Sequence, residues 1–376
     1  RSTLFPYTTL FRSLELITGM AEKKKTSEKK ARKRSNRAKM FLVLTVLIVT
    51  LVTTAFAIAY TKNFVGGKLA KVNRLDVDRS SLNICPKAKK ELSDYDNILM
   101  LGIDTRDIEN NEGSRSDAIM IVSINKISGA IKIASVYRDV YLYIPVEERF
   151  DKATHAHAYG GAQETMRMLN INLDLNIEKV IVVNWGSVAK VVDAMGGLSV
   201  DVKKNEIDEM NRYINDTGRT VGGKTDMIEN PGYRKLDGIQ AVTYARIRKG
   251  ESGGDTARAK RMRKLLNAAV KKLKGMSFRE LDQWSDEAMP AIKTDIDSKE
   301  ILSLLLKVTR YDIQNSIGWP NKHDGWIMEG VWYDFPMTLE RNVMIFHKKM
   351  FGRESYRPSG MVKKYSKQIE EKIKGR

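Results

Sequence analysis

The sequence predicts an α/β or α+β domain, with a central sheet covered by helices, behind one N-terminal membrane span. Three features carry that expectation. Short apolar runs end at charged residues, as in NILMLGID (97–104), DAIMIVSIN (117–125) and AIKIASVYRD (130–139). Helical patterns fall between or after such runs, as in GGAQETMRMLN (160–170) and VAKVVDAMGG (188–197). Strands mixed with short helices pack as a sheet under helices. The third feature is MFLVLTVLIVTLVTTAFAIAY (40–60), which contains no charged residue.

From the N-terminus, RSTLFPYTTLFRS (1–13) reads as translated sequencing adapter. Residues 1–19 are therefore set aside as non-native, and Met20 is the expected start. Residues 20–39 are a basic tail: KKKTSEKKARKRSNRAK (23–39) carries a net charge of +9. As a helix, 40–60 would span about 31 Å, the thickness of a bilayer core. Lys and Arg stay on the cytoplasmic side, so the tail is expected inside and the chain from Lys62 outside the cell. A cleaved signal peptide is the alternative, but AIAYTK is a poor small-residue cleavage site. Residues 61–94 are expected to form an extracellular stalk with little apolar periodicity.

Beyond the stalk, 97–104 reads as a buried strand. The runs 117–125 and 130–139 read as a hairpin joined through KISG. KVIVVNW (179–185) and LSVDV (198–202) are further strands, and glycines stop the helix at 188–197. The polar stretch 203–235 is expected as a surface excursion. Residues 256–274 read as a long basic helix with eight Lys or Arg and no acid, and ILSLLLKVTRY (301–311) as an amphipathic helix. The Lys-rich end, from about Met361, is expected to fray.

Composition excludes several functions. Cys85 is the single cysteine in 376 residues, so there is no internal disulfide framework or Cys-rich zinc site. Four histidines, two of them in KATHAHAYGG, do not suggest a His-rich metal centre. There is no Gly-x-Ser-x-Gly elbow, Walker loop or Gly-x-Gly-x-x-Gly fingerprint. The net charge of +19 usually points to nucleic acid. Here the densest tract abuts the apolar helix, where it serves orientation and contact with anionic membrane lipid. No nucleic-acid partner is expected. The basic outer segment suits anionic polymers, phospholipid headgroups or pyrophosphates.

The candidate chemistry lies at strand ends, where loops carry function on a rigid sheet. LGIDTR brings Asp104 and Arg106 to one strand end, SRSD brings Arg115 and Asp117 to the next, and YRD brings Arg138 and Asp139 to the third. If the first two strands are neighbours, Asp104 and Asp117 can converge, and paired carboxylates with phosphate oxygens hold Mg²⁺. From spacing alone, a loop-capping or Arg-pairing role is the favoured reading. In YARIRKGESGGDTARAKRMRKLL (244–266), Arg246 and Arg248 would share one face of a strand. Asp255 would cap the following helix, and Arg258 and Arg261 would share a face near its N-terminus. Guanidiniums grip phosphate oxygens bidentately, so the arginines read as a pyrophosphate clamp, with Lys152 as a further contact. The competing reading is a solvated basic face. His155 and His157 read as structural hydrogen-bonding residues, and Gly160 and Gly161 as a turn into the following helix.

The ordered series NILMLGIDTR, SRSD, SVYRD, K-x-x-HAHAYGG, VDAMGGLSVDV, LDGIQAVTYARIR and GDTARAKR resembles the LytR-CpsA-Psr family of cell-wall glycopolymer ligases. The resemblance covers residues 95–275, with 276–376 as a C-terminal extension. It implies an α/β fold, αβα layered, with a central mixed sheet flanked by helices. It also implies a Mg²⁺-assisted phosphotransferase of the Gram-positive cell membrane. Such an enzyme takes wall teichoic acid, capsule or a similar polymer from an undecaprenyl-pyrophosphate carrier and joins it to peptidoglycan by a phosphodiester. By matched position, Asp104 and Asp117 would be metal ligands. Arg138 and Asp255 would be catalytic, and Arg106, Lys152, Arg246, Arg248, Arg258 and Arg261 would bind the pyrophosphate. The chain departs from the family pattern at Ala118, Tyr137 and Met262. The alternatives are a transcriptional regulator or attenuator, which would need 62–376 in the cytoplasm, and a non-catalytic or phosphatase-type binder of polyprenyl pyrophosphate.

Overall fold

The computed structural model of the chain describes residues 71–105, 113–247 and 254–375, with Thr50 and Gly67 singly. The apolar stretch 40–60 and the charged positions Arg106 and Arg248 lie outside the described residues. Among the described residues, no helix is long and apolar enough to cross a membrane.

In chain order the strands are β1 (Asn73–Arg74), β2 (Tyr95–Ile103), β3 (Ser116–Asn125), β4 (Ala130–Val136), β5 (Tyr141–Ile144), β6 (Arg149–Lys152), β7 (Lys179–Asn184), β8 (Leu198–Val202), β9 (Gly232–Leu236), β10 (Lys293–Thr294), β11 (Asp312–Trp319), β12 (His323–Met328) and β13 (Val331–Pro336). The helices are α1 (Pro86–Glu91), α2 (His155–Leu173), α3 (Trp185–Ala194), α4 (Lys204–Val221), α5 (Gly238–Arg246), α6 (Asp255–Lys274), α7 (Phe278–Ala288), α8 (Ser298–Leu306), α9 (Leu339–Phe351) and α10 (Gly360–Lys374).

Seven strands form one mixed sheet in the order β1-β10-β7-β2-β3-β4-β11. β2 runs parallel to β7 and antiparallel to β3, β3 is antiparallel to β4, and β4 is parallel to β11. The carboxyl ends of β2, β4, β7 and β11 and the start of β3 therefore share one edge. In open α/β sheets that edge is the usual ligand site. The β3–β4 turn has a side-chain cause: Asn125 Oδ1 accepts from the backbone N–H of Ile127 (3.0 Å) and Ser128 (2.8 Å). Gly129 closes the turn at φ 73°, where a side chain is strained.

Strand alternation sends the two faces of the sheet to different helices. Leu99, Leu101, Ile103, Ile119 and Ile121 enter one buried core with Met166 and Leu169 of α2, Val343 and Phe346 of α9, and Val362 and Tyr365 of α10. On the other face, Ala118, Met120 and Ser135 meet Arg258, Ala259 and Met262 of α6. The αβα layering implied by the resemblance is what the chain adopts.

Several local expectations need correction. The polar stretch 203–235 holds helix α4 and strand β9 rather than an irregular excursion. Ile207, Met210 and Ile214, at helical spacing, bury a narrow stripe that its many polar neighbours obscure. Residues 244–246 end a helix instead of forming a strand: α5 starts at a capping box in which Asp237 accepts from Gln240 N and Gln240 reaches back to Asp237 N. Nearly all of α5 is buried, so it shows no amphipathic period. Asp255 is the first residue inside α6, with Gly254 as the cap, so it does not cap the helix. The expected helix at 301–311 ends at Leu306, and β11 begins at Asp312. The end of the chain does not fray: α10 is capped by Ser359 and buries Val362, Tyr365 and Ile369. Val77, Leu82 and Leu92, from the expected stalk, also lie in the main core.

Candidate functional site

The shared edge gathers the charged strand ends. The Asp104 N–H donates to the Arg115 carbonyl at 3.3 Å, so the expected neighbours β2 and β3 do bring Asp104 beside the SRSD segment. The Asp104 side chain is exposed, whereas Asp117 is buried. Thr154 ties the segment after β4 to β3 through one backbone and one side-chain hydrogen bond: its N–H donates to the Arg138 carbonyl (2.9 Å), and its Oγ1 donates to the Ser116 carbonyl (2.9 Å). His157, fully buried, holds the Ser114 carbonyl at 2.8 Å from Nδ1, and burial keeps its pKa low. His155 sits 3.0 Å from Asp151. Both histidines act on structure, as expected. Gly160 and Gly161 break α2 with non-helical backbone, Gly161 at φ 64°.

Arg138 is the hub. Its Nη1 donates to Asp117 Oδ1 at 2.9 Å, and its Nε lies 3.3 Å from Asp139 and 3.4 Å from Asp255. Arg258, only 2% exposed, reaches the same acids from α6: Nη2 is 3.0 Å from Asp255 Oδ1, and Nη1 is 3.5 Å from Asp117 Oδ2. Lys152 Nζ lies 3.2 Å from Asp139. Three acids and three cations thus form one continuous network at the edge of the sheet. A buried network of this kind is costly unless every member is paired.

The network shifts its own titrations. Burial pulls the Arg138 pKa down, but Asp117, Asp255 and Asp139 together outweigh it and hold the guanidinium charged. Burial, then a hydrogen bond with Asp139, pushes Asp255 up. Burial also acts upward on Asp139, but the Asp255 hydrogen bond, Arg138 and Lys152 overcome it and leave Asp139 low. Two neighbouring carboxyls driven apart in this way divide acid and base roles.

The remaining expected residues are less closely joined. Arg246, ending α5, sits over the Trp185 ring at 5.9 Å. Arg261 shares the buried face of α6 but pairs with Glu206 of α4 at 3.7 Å and donates to the Ile247 carbonyl. Arg246 and Arg261 thus each have a partner besides the acids of the Arg138 network. Arg106 and Arg248 fall outside the described residues. Sequence reasoning did not assign Asp139, although the YRD motif contains it, and it missed Trp185 and Glu206. Glu206 had a signal: it is the first-turn acid of α4 and reaches back to the Lys203 N–H (2.9 Å).

A narrow crevice opens between β3–β4 and α6, lined by Asp117, Ala118, Tyr137, Arg138, Asp255, Arg258 and Met262 among others. All three positions at which the chain departs from the family pattern line it, Ala118 and Tyr137 from the strand side and Met262 from α6. Ala118 faces Gly102, where an added Cβ would lie 2.9 Å from the Ala118 Cβ. Tyr137 abuts β11: a Cβ on Gly318 would come within 2.1 Å of its hydroxyl. Among the described residues, no group of three or more His, Cys, Asp or Glu could hold a metal. Asp104, held to Arg115 through its backbone, and Asp117 lie at the same sheet edge, and carboxylate oxygens are the donor type Mg²⁺ takes together with water and phosphate oxygens.

Comparison with known proteins agrees with this geometry. The model of the LytR_cpsA_psr family matches residues 59–340. The polyisoprenyl-teichoic acid–peptidoglycan teichoic acid transferase TagT of Bacillus subtilis is 29% identical over 299 residues, covering 79% of this chain and 89% of the relative. The corresponding TagU of Bacillus mycoides is 30% identical over 250 residues, covering 65% and 75%. A solved structure described as TagT bound to LIIa-WTA superposes with a TM-score of 0.56 at 26% identity, covering 70% of this chain and 91% of that one. With the sheet, the strand-end motifs and the family match in agreement, the chain belongs to the LytR_cpsA_psr family.

Proposed function

We propose that this chain is a membrane-anchored extracellular phosphotransferase. It moves an anionic glycopolymer from an undecaprenyl-pyrophosphate carrier to peptidoglycan and forms a phosphodiester. The observation that carries the proposal is the Arg138–Asp117–Asp255–Arg258 network at the sheet edge. The relatives' names, which pair a polyisoprenyl-linked teichoic acid with peptidoglycan, support the donor and acceptor classes.

The chemistry follows from charge. Phosphoryl transfer needs positioning and neutralisation more than covalent catalysis. An acceptor hydroxyl oxygen attacks the sugar-linked phosphorus, and the bond to the bridging oxygen breaks. The lipid monophosphate leaves with that electron pair. Arg138 and Arg258 exchange carboxylate partners for phosphate oxygens and stabilise the charge that grows on them. Lys152 reaches the same anion from β6. Asp255, once deprotonated, accepts the hydroxyl proton, and Asp139 holds the neighbouring negative charge. A divalent cation, where bound, would be held by Asp104 and Asp117 and would add neutralisation of the diphosphate. The basic tail and the apolar stretch 40–60 support the anchor and its orientation.

The test supplies the full chain with a lipid-pyrophosphate oligosaccharide and peptidoglycan. Phosphodiester-linked polymer on the glycan is the expected product. Release of lipid phosphate without transfer would identify a phosphatase, and no turnover would leave a binding protein. An epitope at the C-terminus is expected to be cleaved by external protease in intact cells. Full protection would reverse the proposed topology.

A further inference from the structure

The hairpin of β12 and β13 borders the site without belonging to the charged network. The Asp334 N–H donates to the Asp139 carbonyl at 2.9 Å, and the Lys152 ammonium lies 5.5 Å from the Tyr333 ring centre. Directly paired residues of an antiparallel hairpin share a face. Trp326 pairs with Tyr333 and Asp324 with Phe335, and on that face Trp326 stacks on buried Phe335 at 3.8 Å against the core. Ile327 pairs with Trp332 and Gly325 with Asp334, on the outward face. There Trp332 is 50% exposed and Ile327 is 67% exposed.

Three observations show that this face is shaped. Gly325 makes room for Trp332, since a Cβ there would meet the ring at 2.2 Å. His323 and Asp334, also on this face, are joined at 2.7 Å. Tyr137, next in sequence to Arg138, packs edge-on to His323 with centroids 5.3 Å apart. The face therefore runs from an exposed indole, past a His–Asp pair, to the crevice.

We infer that the outward face of the β12–β13 hairpin binds a pyranose ring of the acceptor glycan, with Trp332 as the stacking surface and His323–Asp334 as the hydrogen-bonding edge. This deepens the proposed transferase function and rests on it for the identity of the acceptor. A pyranose offers an apolar C–H face and a rim of hydroxyls, and a half-exposed indole beside a polar pair matches both. Continuity with Asp139 and Tyr137 would bring an acceptor hydroxyl toward Arg138. A bilayer surface fits less well, because Asp334 shares the face and Glu329 is highly exposed at the hairpin tip.

The experiment titrates the full chain in detergent with a hexamer of β-1,4-linked N-acetylglucosamine, followed by tryptophan fluorescence and calorimetry. Wild type is expected to bind. Trp332→Ala is expected to weaken binding at least tenfold, and Gly325→Val, which displaces the ring but keeps it, should do the same. Trp332→Phe should retain part of the affinity. Binding of a short polyprenyl pyrophosphate and the melting temperature should not change in Trp332→Ala. No hexamer binding by wild type, or wild-type affinity in either disruptive variant, overturns the inference. So does loss of phosphatidylglycerol vesicle binding in Trp332→Ala with hexamer binding intact. If wild type binds the hexamer through Trp332 yet transfers no polymer, the proposed reaction fails while the glycan surface stands.

Discussion

Replacing Arg138 with alanine removes a side chain that touches Asp117, Asp139 and Asp255 together. Two effects follow, and the structure sets their sizes. Arg138 is 26% exposed, so its pairs are mostly shielded from water. Removing one partner of a buried ion pair costs about 3–5 kcal/mol. Arg258 and Lys152 stay behind and compensate part of the charge, so about 2–3 kcal/mol is the expected loss. In a domain of this size each kcal/mol lowers Tm by about 2–4 °C, which gives a drop of about 4–12 °C. Transfer should fall by about 10³-fold or more, as for loss of a phosphate-stabilising arginine.

The assay pairs transfer rate at pH 7 with thermal melts at pH 7 and at about pH 2, below the ordinary carboxylate value. Asp139 has a lowered folded pKa, to which Arg138 contributes. A depressed carboxyl stabilises the fold above its unfolded pKa and loses that contribution as pH falls through the folded value. Arg138→Ala removes part of this term, so the gap from wild type is largest at pH 7. It should narrow only below about pH 4, as Asp139 protonates in the folded state. A gap that stays constant between the two pH values, or transfer within tenfold of wild type, would refute the network as the catalytic centre.

Asp255→Asn is expected to reduce transfer by about 10²–10⁴-fold, the range for loss of a general base. Because Asp255 is raised in the fold, the acidic limb of the wild-type rate profile should lie above the ordinary carboxylate value of about 4, and a limb at that value would exclude Asp255 as the base. Gly318→Ala should push Tyr137 out of its seat and destabilise the domain by about 1–3 kcal/mol, as overpacking does. Denaturant midpoints would check this, and an unchanged midpoint would contradict the close approach. Chelation by EDTA should slow transfer and added Mg²⁺ should restore it, while Asp104→Ala should abolish the restoration. Full activity in EDTA would remove the cation from the reaction.

The central strands were legible because their apolar runs are short and end in charged motifs. Those runs became β2, β3, β4 and β7, and the KISG turn became the β3–β4 hairpin. The glycines after α3 stopped the helix where expected, with Gly196 and Gly197 at positive φ. Helix α5 was illegible for the opposite reason, since a helix buried on nearly every side has no polar face to mark its period. Helix α4 was hidden by its acids and amides, and only three residues of its stripe are large and apolar.

Charged residues at the ends of buried strands marked the candidates, and the resemblance of the ordered motifs gave them their expected roles. Position in the chain could not say which acid each arginine meets. Arg258 and Arg261 share a helical face three residues apart, yet one joins Asp117 and the other Glu206. Their partners are set by the strand or helix packed against each turn of α6, and those contacts span long sequence separations. The opposite shifts of Asp139 and Asp255 likewise arise between residues 116 positions apart, brought together where α6 packs on the sheet edge. Coulomb and hydrogen-bond energies depend on distance in space, and only the folded sheet supplies that distance.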